Sequence, residues 1–372
     1  MRAIGLILAG GNNYRMKELT KNRAVAAMPI AGSYKSIDFA LSNMTNSHIT
    51  RVGVLTQFNA RSLNDHLTSS KWWNFGRKMG GLYVFNPTVT QDNGFWYRGT
   101  ADSIYQNIGF LKESHEPYVI IASGDAIYKL DYGKVLEYHI DKKSDITIVC
   151  KDIDTCSDKG RYGFVRLNDD NRIEEFDEKP QIVKQGTISC GIYVIRRRLL
   201  IELIEKSAEE DRFDFVRDII INNVDDKKIY AYKMAEYWTN ISSVDDYYRA
   251  NMDFLNPEIR NYFYRSYPAI YSKVEDLPPA KYNYGSKVSN SLISSGAIIN
   301  GTVENSVLFK KVFVGNNCVI RNSIILDDVY IGDNSVIENC IIDGRGTVRA
   351  NTTYKGEDGV KVIIEQSDRY VF

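Results

Sequence analysis

Two stretches of this chain place reactive residue types directly after apolar runs. Ile4-Gly5-Leu6-Ile7-Leu8 leads into Ala9-Gly10-Gly11-Asn12-Asn13-Tyr14-Arg15, and Tyr118-Val119-Ile120-Ile121 leads into Ala122-Ser123-Gly124-Asp125. Glycines after a strand let backbone N–H groups approach a phosphate, and an arginine just beyond them neutralises its charge. A carboxylate after a strand, such as Asp125, caps a helix or belongs to a nucleotide site. Asp214 and Asp218 in Phe213-Asp214-Phe215-Val216-Arg217-Asp218 fit a sugar contact and a helix start equally well. The Arg196-Arg197-Arg198 run fits a solvated helix start better than an effector site.

These segments need a scaffold that holds strand ends side by side. From residue 1 to about 255, short apolar runs alternate with longer amphipathic segments, as expected of a largely parallel sheet covered by helices on both faces. In such sheets ligands sit at the carboxyl ends of the strands, which is where both segments fall. Residues 69 to 97 show no clear periodicity and are expected to form a long loop. Residues 256–285, with Asn256-Pro257, Pro268 and Pro278-Pro279, form a connector. Beyond it Asn305-Ser306-Val307-Leu308, Asn322-Ser323-Ile324-Ile325 and Asn339-Cys340-Ile341-Ile342 recur, and 322 − 305 and 339 − 322 are both 17. Val312-Phe313-Val314-Gly315 and Val329-Tyr330-Ile331-Gly332 keep the same step. Residues 286–372 are therefore predicted to be a left-handed parallel β-helix of hexapeptide-like repeats, closed by a strand near Val360 to Ile364. Its end coils need covering, which points to an oligomer.

Composition narrows the function further. Of 372 residues 44% are apolar and 25% charged, the balance of an ordered protein of two or three domains. Lys plus Arg and Asp plus Glu both number 47, so no bulk field draws the chain to nucleic acid or an anionic membrane. The five cysteines (Cys150, Cys156, Cys190, Cys318, Cys340) are odd in number and lack CxxC spacing, which argues against a disulfide framework or a zinc site and for a cytoplasmic compartment. The apolar start is too short for a signal segment. The last histidine is His139, so a hexapeptide-repeat acyltransferase with a histidine at its coils is excluded.

The string from Leu8 to Arg15, with Arg23-Ala24-Val25-Ala26 and Ile37-Asp38-Phe39-Ala40-Leu41-Ser42-Asn43, resembles the signatures of sugar-nucleotide pyrophosphorylases, and most closely glucose-1-phosphate adenylyltransferases. Gly53-Val54-Leu55-Thr56-Gln57, Trp96-Tyr97-Arg98-Gly99-Thr100-Ala101-Asp102, Phe176-Asp177-Glu178-Lys179-Pro180 and Gly191-Ile192-Tyr193-Val194 follow in that family's order. The resemblance implies a Rossmann-like nucleotidyltransferase domain over 1–255 and formation of ADP-glucose and pyrophosphate from ATP and glucose 1-phosphate. It implies phosphate contacts at Gly10, Gly11 and Arg15, a further substrate position at Gly99, a metal aspartate at Asp125, and a sugar-phosphate pocket with Glu178, Lys179, Ser189 and Trp238.

Three departures bear on that chemistry. The third loop glycine of the family is Asn13, the lysine of R-A-K-P is Val25, and the aspartate of Y-W-x-D is Asn240. Loss of one phosphate-facing cation costs a catalyst about two powers of ten. An amide holds a hard cation far less well than a carboxylate, so Mg²⁺ is expected to be weakened or absent. The pattern is similar to the regulatory glycogen-biosynthesis subunit of Gram-positive bacteria. It implies a chain of little activity that joins a catalytic subunit, in a homo- or heterotetramer, and keeps a nucleotide or sugar-phosphate pocket; the alternative is a self-sufficient adenylyltransferase.

Overall fold

A computed structural model describes residues 2–11, 13–76, 80–88, 94, 96–153, 162–180, 185–357 and 359–364. Cys156 and parts of the 69–97 segment lie outside the described residues. The chain forms two compact units, one of residues 1–12 and 39–238, the other of residues 13–38 and 239–372.

The first unit is built on a nine-stranded sheet: β1 (Ala3–Leu8), β2 (Arg51–Leu55), β3 (Gly81–Phe85), β4 (Tyr118–Ser123), β5 (Ile146–Ile153), β6 (Gly163–Leu167), β7 (Ile173–Glu178), β8 (Gly186–Arg196) and β9 (Ile229–Lys233). The order β4-β1-β2-β3 is parallel throughout. Strand β8 runs antiparallel to β4, β5 and β6, and β9 adds a parallel edge to β5. The central strands are apolar on both faces because helices cover both: Ile4, Ile7, Val119, Ile121, Ile146 and Ile148 are all fully buried. Burying a side chain of this size stabilises the fold by about 1.5–3 kcal/mol. Helices α1 (Ser36–Asn46), α2 (Ala60–Leu67), α3 (Thr100–Gln106), α4 (Tyr132–Asp141) and α5 (Arg197–Glu209) fill the intervals between strands. At Gly5 a Cβ would lie 2.8 Å from the Met44 sulfur, so the glycine sets how closely α1 packs on β1.

The segment expected to be a long loop contains a strand. Residues Gly81–Phe85 pair with β2 from Arg51↔Gly81 to Leu55↔Phe85, and Ser70–Trp73 form a 3₁₀ turn. As the edge strand, β3 is half-buried except at Tyr83, which is exposed, and Gly-Leu-Tyr-Val-Phe therefore shows no period-two alternation.

The second unit holds the coils. Three five-stranded parallel sheets form the faces of the left-handed β-helix. The 17-residue step is the register of the middle coils: Val307 pairs with Ile324 and Ile324 with Ile341, Val319 with Val336, Phe313 with Tyr330. Each coil buries its aliphatic residues on the next, with Val303, Ile320 and Ile337 stacked at one inner position without exposure. The corners explain the asparagines. Asn305, Asn322 and Asn339 have φ of 46°, 46° and 52°, and Asn317, Asn334 and Asn351 lie at 56–60°, the left-handed region that asparagine tolerates best after glycine. Their amides stack in ladders, Asn305 Nδ2 donating to Asn322 Oδ1 at 2.7 Å and Asn317 Nδ2 to Asn334 Oδ1 at 3.1 Å. The closing strand is Lys361–Ile363, paired with Cys340–Ile342.

Residues 13–38 belong by sequence to the 1–255 segment, yet they pack with 239–372. Asn251 Oδ1 accepts the Ala31 N–H at 2.9 Å, Tyr247 donates to the Pro29 carbonyl at 2.7 Å, and Arg23 pairs with Asp343 at 3.2 Å. Gly32 has φ of 77°, and a Cβ there would come within 2.3 Å of the Ser294 hydroxyl. Helices α6 (Val244–Met252) and α7 (Pro257–Tyr264) complete this unit.

Candidate active site

In the first unit, register alone brings the sequence-predicted segments to one edge of the sheet. Leu8 pairs with Ser123, the Gly124 N–H donates to the Leu8 carbonyl at 3.0 Å, and the Ala9 N–H donates to Leu55 at 2.8 Å. Gly10 and Gly11 thus leave the sheet beside Ser123-Gly124-Asp125. Open space surrounds Gly11, with no atom within 4 Å of where a Cβ would stand, whereas Gly10 packs on Gln57.

Asp125 is half-buried and accepts a hydrogen bond from the Ser123 hydroxyl. Burial raises its carboxyl above the ordinary value, opposed by that hydrogen bond and by the positive charge of Lys179. The segment that follows it is steadied from α1: Asn43 donates to the Tyr128 carbonyl and accepts the Leu130 N–H, both at 3.2 Å. Asn43 belongs to the Ile37–Asn43 motif, but nothing in the string told that its amide clamps this segment.

The sugar-phosphate candidates gather on the neighbouring strands. Glu178 ends β7 and pairs with Lys179 Nζ at 2.9 Å; Lys179 itself sits at φ 56°, and its N–H donates to the Tyr162 carbonyl. Trp238 packs edge-on against Tyr162 with centroids 5.8 Å apart, and its indole Nε1 is buried without an acceptor among the described residues. Ser189 is buried in β8, where its hydroxyl accepts the Gly191 N–H at 3.3 Å. Gly191, at φ 70°, lies against Ser123, with its Cβ position 3.5 Å from that of the serine.

Other candidates have structural work. At Gly99 a Cβ would meet the Phe213 carbonyl at 2.3 Å, so this glycine lets the start of α3 lie on the 213 backbone. Asp214 Oδ1 accepts the Val216 and Arg217 N–H groups at 2.9 Å and Asp218 accepts the Asp214 N–H at 2.7 Å, which is the helix-start arrangement. Arg197 donates to the carbonyls of Leu111 and Glu116, tying α5 to the segment that leads into β4. Gln57 holds both backbone groups of Tyr97, at 2.7 and 3.2 Å, and positions the Trp96–Gly99 stretch. Lys129 is 4% exposed, and burial lowers its pKa to about 8.

In the second unit stand Asn13, Arg15, Val25 and Asn240. Asn13 Oδ1 accepts the Arg15 N–H at 3.1 Å and Nδ2 donates to the Ser242 carbonyl at 2.6 Å. The Arg15 guanidinium lies over the Tyr14 ring, 5.9 Å from its centroid. Val25 begins a 3₁₀ turn and is 7% exposed, and its chain neighbours Ala24, Ala26 and Ala27 are each under 3%. Asn240 is half-buried. Among the described residues no three acidic, histidine or cysteine side chains converge as a metal cluster.

The profile described as nucleotidyl transferase matches residues 4–256, and that of the GlmU-like C-terminal hexapeptide matches residues 278–361. The chain is 41% identical over 320 residues to the glucose-1-phosphate adenylyltransferase of Clostridium novyi (strain NT), covering 85% of this chain and 84% of that protein. The chain belongs to the glucose-1-phosphate adenylyltransferase family. The protein of that name from Bacillus subtilis (strain 168) is 37% identical, covering 86% of this chain and 84% of its own. The one from Thermosipho melanesiensis is 38% identical, with 85% and 77% covered. The adenylyltransferase family accounts for both halves of the fold, the strand-end loops and the coils. Among the described residues no helix is long and apolar enough to cross a membrane.

Proposed function

We propose that this chain works in a glucose-1-phosphate adenylyltransferase assembly as a regulatory subunit of impaired turnover, joining a catalytic chain of the same family and raising its activity. The observation that carries this reading is the burial of Val25, 7% exposed among alanines where the family's motif has a lysine. A side chain that neutralises phosphate charge has become part of an apolar core, and the transition state loses several kcal/mol of stabilisation. Asn240 acts in the same direction. Mg²⁺ fits these residues poorly, since of the two positions implied for it only Asp125 is a carboxylate and Asn240 is a neutral amide. The strand-end loops, Lys179 and the free indole donor of Trp238 support a retained nucleotide or sugar-phosphate pocket. Assembly as a tetramer and a cytoplasmic setting belong to this reading.

The names of the relatives weigh toward a second reading, a self-sufficient enzyme that makes ADP-glucose and pyrophosphate from ATP and glucose 1-phosphate. Arg15, Asp125 and Lys179 support it. Pyrophosphate release from ATP and glucose 1-phosphate with Mg²⁺ separates the two, measured for this chain, for a catalytic family member from the same cell, and for their mixture. Silence alone with a several-fold gain in the mixture upholds the regulatory reading. Turnover alone at the rate of the catalytic chain replaces it with the second.

A further inference from the structure

Two faces of the coils differ in what their outward side chains meet. On one, Val307, Ile324 and Ile341 alternate with the inner Leu308, Ile325 and Ile342 yet are fully buried, and the Tyr248 hydroxyl of α6 donates to the Asn322 carbonyl at 2.8 Å. The chain covers this face itself. The other is formed by Lys287–Ser289, Thr302–Glu304, Val319–Arg321, Val336–Glu338 and Thr353–Lys355. Its outward side chains stand in two rows on either side of the inner Val303, Ile320 and Ile337. One row reads Thr302, Val319, Val336, Thr353, three of them half-buried and the last exposed. The second row reads Glu304, Arg321, Glu338, Lys355, with side chains 33–50% exposed.

Both rows have a symmetry that stacking coils does not require. The first is a palindrome. The second alternates in charge, so its reversal is its own complement. Within the chain Arg321 pairs with Glu304 at 2.8 Å and Lys355 with Glu338 at 3.6 Å, exposed pairs of a kind that adds little stability.

We propose that this face docks a second copy of the chain with the coils antiparallel, about a two-fold axis that runs along the strands between the Ile320 and Ile337 levels. The rotation keeps each row facing itself, so Glu304 meets Lys355 of the second copy, Arg321 meets Glu338, Val319 meets Val336 and Thr302 meets Thr353, each pair made twice. Sliding one copy by a single coil, about 4.8 Å, sets Arg321 on Arg321 and Glu304 on Glu338, so the charges fix the register. A two-fold axis along the coils would instead lay the Thr-Val row on the charged one. Four coils make a small patch, so the contact is weak, populated at tens of micromolar chain and loosened by salt. Association by this face is independent of whether the chain turns over substrate.

Cross-linking of the full chain tests the face, in a Cys156→Ser background where the other four cysteines are buried. Chains with Thr302→Cys and chains with Thr353→Cys are mixed and treated with a short rigid bismaleimide. Facing sheets pack about 10 Å apart, within its reach, whereas two copies of position 302 are also three coils apart, about 17 Å in all. The mixture should give a cross-linked dimer and neither chain alone should. Arg321→Glu in both chains sets like charges together and should lower the yield at least tenfold. Arg321→Glu with Glu338→Arg should restore it, although that swap breaks both ion pairs inside the chain. Equal yield in the mixture and in the separate chains, or none in any, overturns the docking, even if light scattering shows that the copies meet elsewhere. A swap no better than Arg321→Glu alone also overturns it, since the ladder then serves only within one chain.

Discussion

The corners of the coils and the loop after β1 both carry asparagine, to opposite ends. At Asn305, Asn322 and Asn339 the backbone is left-handed and the side chain follows, stacking on its counterpart 17 residues along. At Asn13 the backbone is extended and any residue could adopt it, so the side chain itself is what matters. In the coils asparagine is a conformational choice that glycine could replace; at position 13 its side chain bonds the Arg15 N–H and the Ser242 carbonyl, which glycine cannot do. Within one unit, the same residue type therefore answers a backbone demand at the coil corners and a demand for side-chain hydrogen bonds at position 13.

The largest effect that tests this contrast lies inside the coils. Ile320→Ala, between Val303 and Ile337, should cost about 2–5 kcal/mol, read as a lower denaturant midpoint. A loss under 1 kcal/mol would mean that the stack is not a close-packed core. Acid probes the first unit instead. His139 is 1% exposed, its Nδ1 lies 2.8 Å from Thr147 Oγ1, its Nε2 has no hydrogen-bond partner among the described residues, and burial, aided by Arg196 against Asp145, lowers its pKa from 6.5 to about 4. The folded state holds it neutral, so its contribution is complete above pH 6.5 and is lost as pH falls toward 4. Roughly 2–3 kcal/mol should disappear across that window, and a His139→Gln chain should show a flatter melting profile between pH 7 and 5.

Restoring charge sharpens the comparison at the site. Val25→Lys with Asn240→Asp should raise pyrophosphate release about a hundredfold over the native chain, while either change alone does little, because the parts of one charge-stabilising unit are not additive. A folded double variant with no gain would place the block elsewhere, Asn13 included. The smallest effects compare the asparagines directly. Asn322→Ala should cost about 2 kcal/mol and Asn322→Gly about 1, since glycine keeps the left-handed corner and loses only the amide ladder. At position 13 the order should vanish: alanine and glycine should lower the melting temperature alike, because the backbone favours neither.

How much of this was legible depends on repetition. Each coil position occurs several times, so the 17-residue step read from Asn305, Asn322 and Asn339 is the observed register through the middle coils, while earlier pairings such as Leu292 with Val307 step by 15 and the last, Cys340 with Lys361, by 21. The strand-end loops were legible because an apolar run followed by glycine or Ser-Gly-Asp marks where a strand leaves the sheet. Strand β3 was not, since an edge strand fully buried on neither face carries no alternation. The clamps made by Asn43 on 128–130 and by Gln57 on Tyr97 were also invisible, because a bond from an amide to a distant backbone leaves no periodic trace in sequence. Nor does any local pattern tell that 13–38 packs with 239–372.

That last pairing has a consequence in time. The bonds of Gly32 to Ser294 and Arg23 to Asp343 span 262 and 320 residues. A ribosome adding roughly 5–20 residues per second takes roughly 15–60 s to make the later partner. For that interval the N-terminal arm, with Met16, Leu19 and Met28 fully apolar and destined for burial, is a client without its host. The sheet can begin to form around β1 and β4 while the arm waits, and the chain is most vulnerable to proteases and to aggregation just before its final coils emerge.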